Sequence, residues 1–234
     1  MIAFGLTPGQ QVLVVAAHPD DETLGCGGTI ARLVADGVSV HVLAVTVRAA
    51  PLWAGQSTPT IRLREFAAAC DTLGVTRRAV AWADHTGTLD IATRPRAVVE
   101  LIERHEQVSL CAIRPDALLI PAAGGFHQDH QVVHRAAFAA ARVHGRGPKH
   151  TPPLVLGFRG VEDHWSACTE PWWCHVDTSE HWASKQDALR CYASQLRDDS
   201  HPRRVDHIRT VDAAAGGALG WRYAESFVPY RLAY

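Results

Sequence analysis

The 234-residue chain is 47% hydrophobic and 20% charged, enough to bury the core of one domain and too short for two of ordinary size. Its 23 basic and 24 acidic residues leave a net charge of -1, which excludes a broad field for gripping a nucleic acid backbone or an anionic membrane. Residues 1–11 carry no basic leader pattern and the apolar run at 12–17 is far too short for a membrane span, so one soluble, cytoplasmic domain over residues 1–234 is expected, with no nucleic acid partner.

In chain order, residues 12–17 read as a buried strand, 29–35 as part of the helix after it, closed by Gly37, and 38–46 as a second strand. Residues 61–73 carry a rough apolar stripe of Ile61, Phe66, Ala69 and Leu73, with Gly74 where a helix-ending glycine belongs. A short strand at 79–82, a helix at 96–106, a strand at 117–121 and an Ala-rich helix at 129–143 continue the alternation. Beyond about residue 150 the rhythm loosens. Strands at 154–158 and 174–176 and a helix at 180–196 are expected, 197–234 shows no clear period, and the longest linker is 49–60. Repeated strand-helix-strand units predict a Rossmann-like, doubly wound α/β fold with a largely parallel sheet and helices on both faces.

Six cysteines are scattered without a C-x-x-C pair, and a cytoplasmic setting argues for packing thiols rather than disulfides. Fourteen histidines are a more informative excess. Some of them fall in two dense clusters placed just after predicted strands, where doubly wound sheets bind ligands.

The first cluster is Ala17-His18-Pro19-Asp20-Asp21-Glu22. Four ionisable groups in five residues repel one another at a partly desolvated strand end unless a cation sits among them. Gly25, Gly27 and Gly28 follow, but without G-x-G-x-x-G or G-K-[ST] they read as close backbone packing around a metal loop rather than a phosphate cradle. The second cluster is Phe126-His127-Gln128-Asp129-His130, opening a helix after the 122–125 loop. His127 and His130, three apart, share one side of the first turn. His134, one turn deeper, is an alternative ligand. Two neutral imidazoles with a carboxylate are ligand types of catalytic zinc.

Together, the A-H-P-D-D-E of residues 17–22 with Gly27-Gly28 after it, and the H-x-D-H of residues 127–130, resemble the two signatures of the LmbE-like (PIG-L) metal-dependent N-deacetylases. Weaker similarities are Arg62-x-x-Glu65 before Leu73-Gly74-Val75, Asp84, Lys185, Ser194-Gln195, and Glu225 with Phe227. The resemblance implies zinc, with iron or cobalt as other candidate metals, held by His18, Asp21 and His130. It further implies Asp20 as general base, His127 facing the developing oxyanion with Asp129 keeping it protonated and oriented, and Arg62 and Asp84 on sugar hydroxyls. Glu22 either accepts supporting hydrogen bonds or caps the turn. The Trp165, Trp172 and Trp173 cluster either offers an aromatic face to a sugar or packs a core.

The implied reaction is removal of an N-acetyl group from an N-acetylglucosamine-type sugar. Arginine outnumbers lysine 21 to 2, an association with GC-rich, antibiotic-producing bacteria that adds specialised metabolism as a setting. A second enzyme reading is an amidase acting on a thiol conjugate or acylated peptide, and a reading of another class is a non-catalytic carbohydrate-binding protein. A homo-oligomer is compatible with all three.

Overall fold

Along Gln11–Ala16 (β1), Val12 and Val14 enter one apolar core while Leu13 and Val15 enter another, and all four are fully buried. A strand apolar on both faces must lie inside a sheet that helices cover on both sides. The computed structural model, which describes residues 2–52, 55–143, 149–162, 174–197 and 200–233, places it there.

After β1 come α1 (Asp21–Ala35), β2 (Ser39–Arg48), a small antiparallel hairpin of β3 (Ala50–Leu52) and β4 (Gly55–Ser57), α2 (Pro59–Thr72) and β5 (Arg77–Asp84). The next elements are α3 (Pro95–Arg104), α4 (Leu110–Ile113), β6 (Ala117–Pro121), α5 (Gln128–Ala140) and β7 (Leu154–Phe158). The last are β8 (Cys174–Asp177), α6 (Trp182–Cys191), α7 (Val205–Gly217) and β9 (Ala224–Leu232). Among the described residues the main sheet runs β5-β2-β1-β6-β7-β9-β8. Its first five strands are parallel, and β9 is antiparallel to both β7 and β8. Buried residues of α1, α2 and α6 pack on one face, those of α3, α4 and α5 on the other. This is the Rossmann-like, mostly parallel architecture expected.

Both predicted glycine stops are real. Gly37 and Gly74 have φ of +83° and +74°. In each case the glycine N–H bonds the carbonyl three residues back and the next N–H reaches five back, closing the helix end.

The unpatterned stretch after residue 197 contains α7 and β9. The alternation of β9 is blurred by Glu225, which is buried, and by Pro229, which sits at a register shift against β7. Proline lacks the ladder N–H, so a strand that contains it reads poorly. The expected helix at 180–196 is shorter, a 3-10 turn at Ser179–His181 leading into α6. The linker at 49–60 holds the β3-β4 hairpin and the start of α2. The tryptophan cluster lies outside the described residues.

Candidate active site and metal centre

From β1 the chain steps outward to β2 and β5, then crosses back to β6 on the other side of β1. This reversal opens a crevice beyond the carboxyl ends of β1 and β6, the place where doubly wound sheets bind ligands. The first cluster follows β1 and the second follows β6. Pairing of Val12–Val14 with residues 117–119 brings together two segments about a hundred residues apart in sequence.

His18, Asp21 and His130 each present a ligand atom within 4.8 Å of the others. Asp21 Oδ2 lies 3.2 Å from His130 Nε2 and 3.4 Å from His18 Nδ1, and accepts the His18 backbone N–H at 2.8 Å. His18, His127 and Asp129 form a second group with the same compactness, sharing His18 with the first. The three imidazole centroids stand 5.0 to 5.6 Å apart.

The electrostatics fit a cation. Burial alone would lower the His18 pKa, but its hydrogen bonds to Asp129 and Asp21, with their charge, raise it to about 9. Burial would likewise raise Asp21, yet the neighbouring His130 and His18 hold it well below the usual carboxylate range. The pocket therefore draws positive charge onto these groups. A divalent ion would supply that charge with the rings neutral, and the imidazole and carboxylate donors suit zinc, iron or cobalt.

Asp20 points elsewhere. Its backbone φ is +114°, a conformation rare outside glycine and one that stores strain at functional turns. The turn separates adjacent carboxylates: Asp20 Oδ1 is 3.2 Å from Arg62 Nη2, and Oδ2 is 3.3 Å from Arg203 Nη1. Arg62 also donates to the Pro19 carbonyl, and Arg203 is braced by Glu162 at 2.7 Å. Burial pushes the Asp20 pKa up against the pull of both arginines. Glu22 is fully buried and does both jobs anticipated for it. It accepts the Asp20 N–H that begins the turn and, on its other oxygen, the hydroxyls of Thr23 and Tyr192 at 2.6 Å, while burial raises it to about 7.

The partnership anticipated between Asp129 and His127 takes a different form. The Asp129 carboxylate meets His18 Nε2 at 2.9 Å, whereas its backbone N–H donates to His127 Nδ1 at 3.2 Å. His127 is the N-cap of α5, so the helix start rather than a carboxylate orients the ring. An accepting Nδ1 leaves the neutral ring its proton on Nε2. Burial and the nearby His18 and His130 lower the His127 pKa, in keeping with a neutral ring.

Other anticipated residues sit as follows. Asp84 ends β5 and accepts four bonds from Thr86, Gly87 and Leu89, which hold the following loop and pull its pKa down. His134 Nδ1 lies on the Pro121 carbonyl at 2.8 Å, and His134 belongs to neither candidate metal group. The glycines pack α1 rather than the metal loop: a Cβ on Gly25 would lie 2.4 Å from the Phe158 ring, and one on Gly28 would lie 2.9 Å from Thr178. Sequence reasoning missed Arg203 and Glu162, which come from loops without periodic signal.

Histidines and an aspartate gathered at a sheet's switch point, beside a separate carboxylate and a separate imidazole, define a metal-dependent hydrolase site on a Rossmann-like fold. The family model described as PIG-L, GlcNAc-PI de-N-acetylase, matches residues 13–141. The chain belongs to the PIG-L (LmbE-like) family of N-deacetylases. It is 32% identical to 1D-myo-inositol 2-acetamido-2-deoxy-alpha-D-glucopyranoside deacetylase of Actinosynnema mirum, over 82% of each chain. It is 27% identical to the probable N-acetyl-alpha-D-glucosaminyl L-malate deacetylase 2 of Bacillus cereus, over 95% of this chain and 98% of that one. Among solved structures, the A40926 pseudoaglycone deacetylase Dbv21 superposes with a TM-score of 0.76 at 22% identity, covering 96% of this chain and 99% of that one, a likeness of fold.

Proposed function

We propose that this protein hydrolyses the N-acetyl amide of an N-acetylglucosamine-type amino sugar, with zinc held by His18, Asp21 and His130. The observation that carries the reading is the divergence of adjacent carboxylates, Asp21 turned to the histidines and Asp20 turned to two arginines. A binding protein has no use for a separate base beside a cation site. The two relatives' names share an N-acetylated glucosamine unit.

Bound at this site, the cation would polarise the amide carbonyl and acidify water. Asp20 takes the proton from the attacking water and passes it to the departing amine. Arg62 and Arg203 fix the orientation of that carboxylate. His127, with its proton on Nε2, donates a hydrogen bond to the oxygen on which negative charge develops. Asp129 steadies His18, as a carboxylate behind a ligating imidazole does. Arg62 and Asp84 mark the sugar's flank, above β2 and β5, where Arg62 steadies the base and Asp84 shapes the loop. A specialised-metabolite substrate is the setting that the arginine-rich composition favours.

The test is metal analysis followed by acetate release from a panel of N-acetylated amino sugars. Metal-dependent release supports the reading. Tight sugar binding by metal-loaded protein with no acetate released from any member would overturn it in favour of a binding protein.

A further inference from the structure

A sizeable cavity among the described residues is lined by none of the proposed metal ligands. It has a volume of about 480 Å³ and lies between α1, the loop after β7, α7 and β9. This is within the roughly 300–1,000 Å³ usual for small-molecule pockets, far more room than an acetyl methyl needs. Its walls are largely aliphatic, with Leu24, Val161, Val211, Ala215, Ala218 and Ala224 among them. Asp212 and Glu225 also line it, but both already accept from the buried Lys185 at 2.7 Å, and Glu225 takes the N–H groups of Gly28 and Thr29 as well. The carboxylates are thus largely compensated within the protein.

Two observations connect the cavity to the reaction. A small cleft lined by Asp21, His127 and His130 shares Leu24, Gly160 and Val161 with it, and Leu24 also borders the small cavity beside Asp20. The second is topological. Asp84 ends β5, and α2, which carries Arg62, packs on β2 and β5, whereas the cavity is lined by α7 and β9, beyond β7 on the other side of the β1-β6 crevice. The acyl carbon and the nitrogen leave the planar carbonyl carbon along separate directions roughly 120° apart, so the two halves of the substrate lie on different sides of it. A substrate with its amine portion over β2 and β5 therefore turns its acyl portion towards the cavity.

We propose that this cavity receives the acyl group of the substrate amide, reached past Leu24, and that it accommodates saturated chains well beyond acetyl. The proposal rests on the hydrolase reading above and extends it to the acyl side. The balance is that of any amide hydrolysis: water adds to the carbonyl carbon and the carbon-nitrogen bond breaks. The amine leaves with the proton relayed by Asp20, and the chain departs as its carboxylate.

The experiment compares N-acetylglucosamine, N-octanoylglucosamine and the phenyl glycoside of N-acetylglucosamine. Binding is measured calorimetrically on the metal-loaded Asp20→Asn protein, and turnover on the wild type. The octanoyl amide is expected to bind at least tenfold tighter than the acetyl amide. Ala215→Trp, which fills the cavity, and Thr210→Trp at its exposed edge should each cut the octanoyl-to-acetyl preference at least tenfold; the second guards against misfolding of the first. Equal binding of the two amides would overturn the proposal, as would a preference that survives both substitutions. An advantage confined to the phenyl glycoside would overturn it too, by placing the apolar group on the sugar side. Octanoyl-dependent binding without turnover of any amide would count against the hydrolase reading while upholding the cavity as the site of the chain.

Discussion

Asp20 and Asp21 have the same side chain and adjoining positions, so only backbone direction separates their roles. The positive φ of Asp20 turns one carboxylate to Arg62 and Arg203 and leaves the other among the histidines. Asp20→Asn preserves shape and removes the proton acceptor. It should keep full metal stoichiometry and lose at least about a hundredfold in turnover, the lower range for general base catalysis. His18→Ala, Asp21→Ala and His130→Ala should instead lose metal and activity together. Elemental analysis beside acetate release separates the two classes, and metal loss in Asp20→Asn with retention in Asp21→Ala would reverse the assignment. His127 offers a second residue-scale test. If its Nε2–H is the donor, His127→Ala keeps metal and loses about two to three powers of ten in rate. His127→Gln, which still presents an N–H, should recover part of that loss; equal rates for the two variants would argue against a donor role.

Elements far apart in sequence are tied together by buried polar groups. Lys185 on α6 reaches Asp212 on α7 and Glu225 on β9, and Glu225 holds the backbone of α1 at Gly28 and Thr29. Lys185 is fully buried, and its carboxylates keep it charged against the pull of burial. Removing the cation strands two buried acids. Lys185→Met should therefore lower stability by roughly 3–5 kcal/mol in urea unfolding, and the double change with Glu225→Gln should lower it by less than the sum. Additive losses would show that the groups are not coupled. The same kind of link joins Glu65 on α2 to both the N–H and hydroxyl of Ser194 after α6. Lys185, Glu225, Glu65 and Ser194 stood out in the sequence as weak family-like features, and the fold joins them as two pairs.

At the scale of the whole molecule, acid stability tests the buried face of the sheet. His41 on β2 is buried, with Nε2 2.7 Å from Gln11 Oε1 and Nδ1 without a hydrogen-bond partner among the described residues. Burial, with Arg77 on the neighbouring strand, lowers its pKa from 6.5 to about 4. A depressed folded pKa means that the unfolded chain takes the proton first as pH falls. The neutral ring's contribution is therefore complete above about pH 6.5 and is lost between there and about pH 4, by up to about 3 kcal/mol. Unfolding free energies at several pH values should show that slope in the wild type and a shallower one in His41→Gln. Metal binding would act on the same global equilibrium, because the proposed ligands follow the ends of two different strands and the unfolded chain holds no such site. Chelation should lower the melting temperature by the equivalent of about 2–3 kcal/mol when the free metal had stood near a hundred times its dissociation constant. No shift on chelation would speak against a bound metal.

The chain's local chemistry determined a good deal by itself. Runs such as Val12 to Val15, buried on both sides, and glycines at helix ends are properties of neighbouring residues, so the parallel sheet and its helices were legible. So were the two His/Asp clusters, because each is contiguous and each follows a strand. Three things depended on contacts between distant segments: which strand lies beside which, which oxygen faces which nitrogen, and what surrounds a buried charge. The adjacency of β1 and β6, which makes two clusters one site, comes from the order of the sheet. The grip of Arg203 on Asp20 and the turn of Asp129 towards His18 come from side chains meeting across the crevice. No spacing along the chain encodes those meetings, since an ion pair carries no periodicity and its partners stand as much as 183 residues apart.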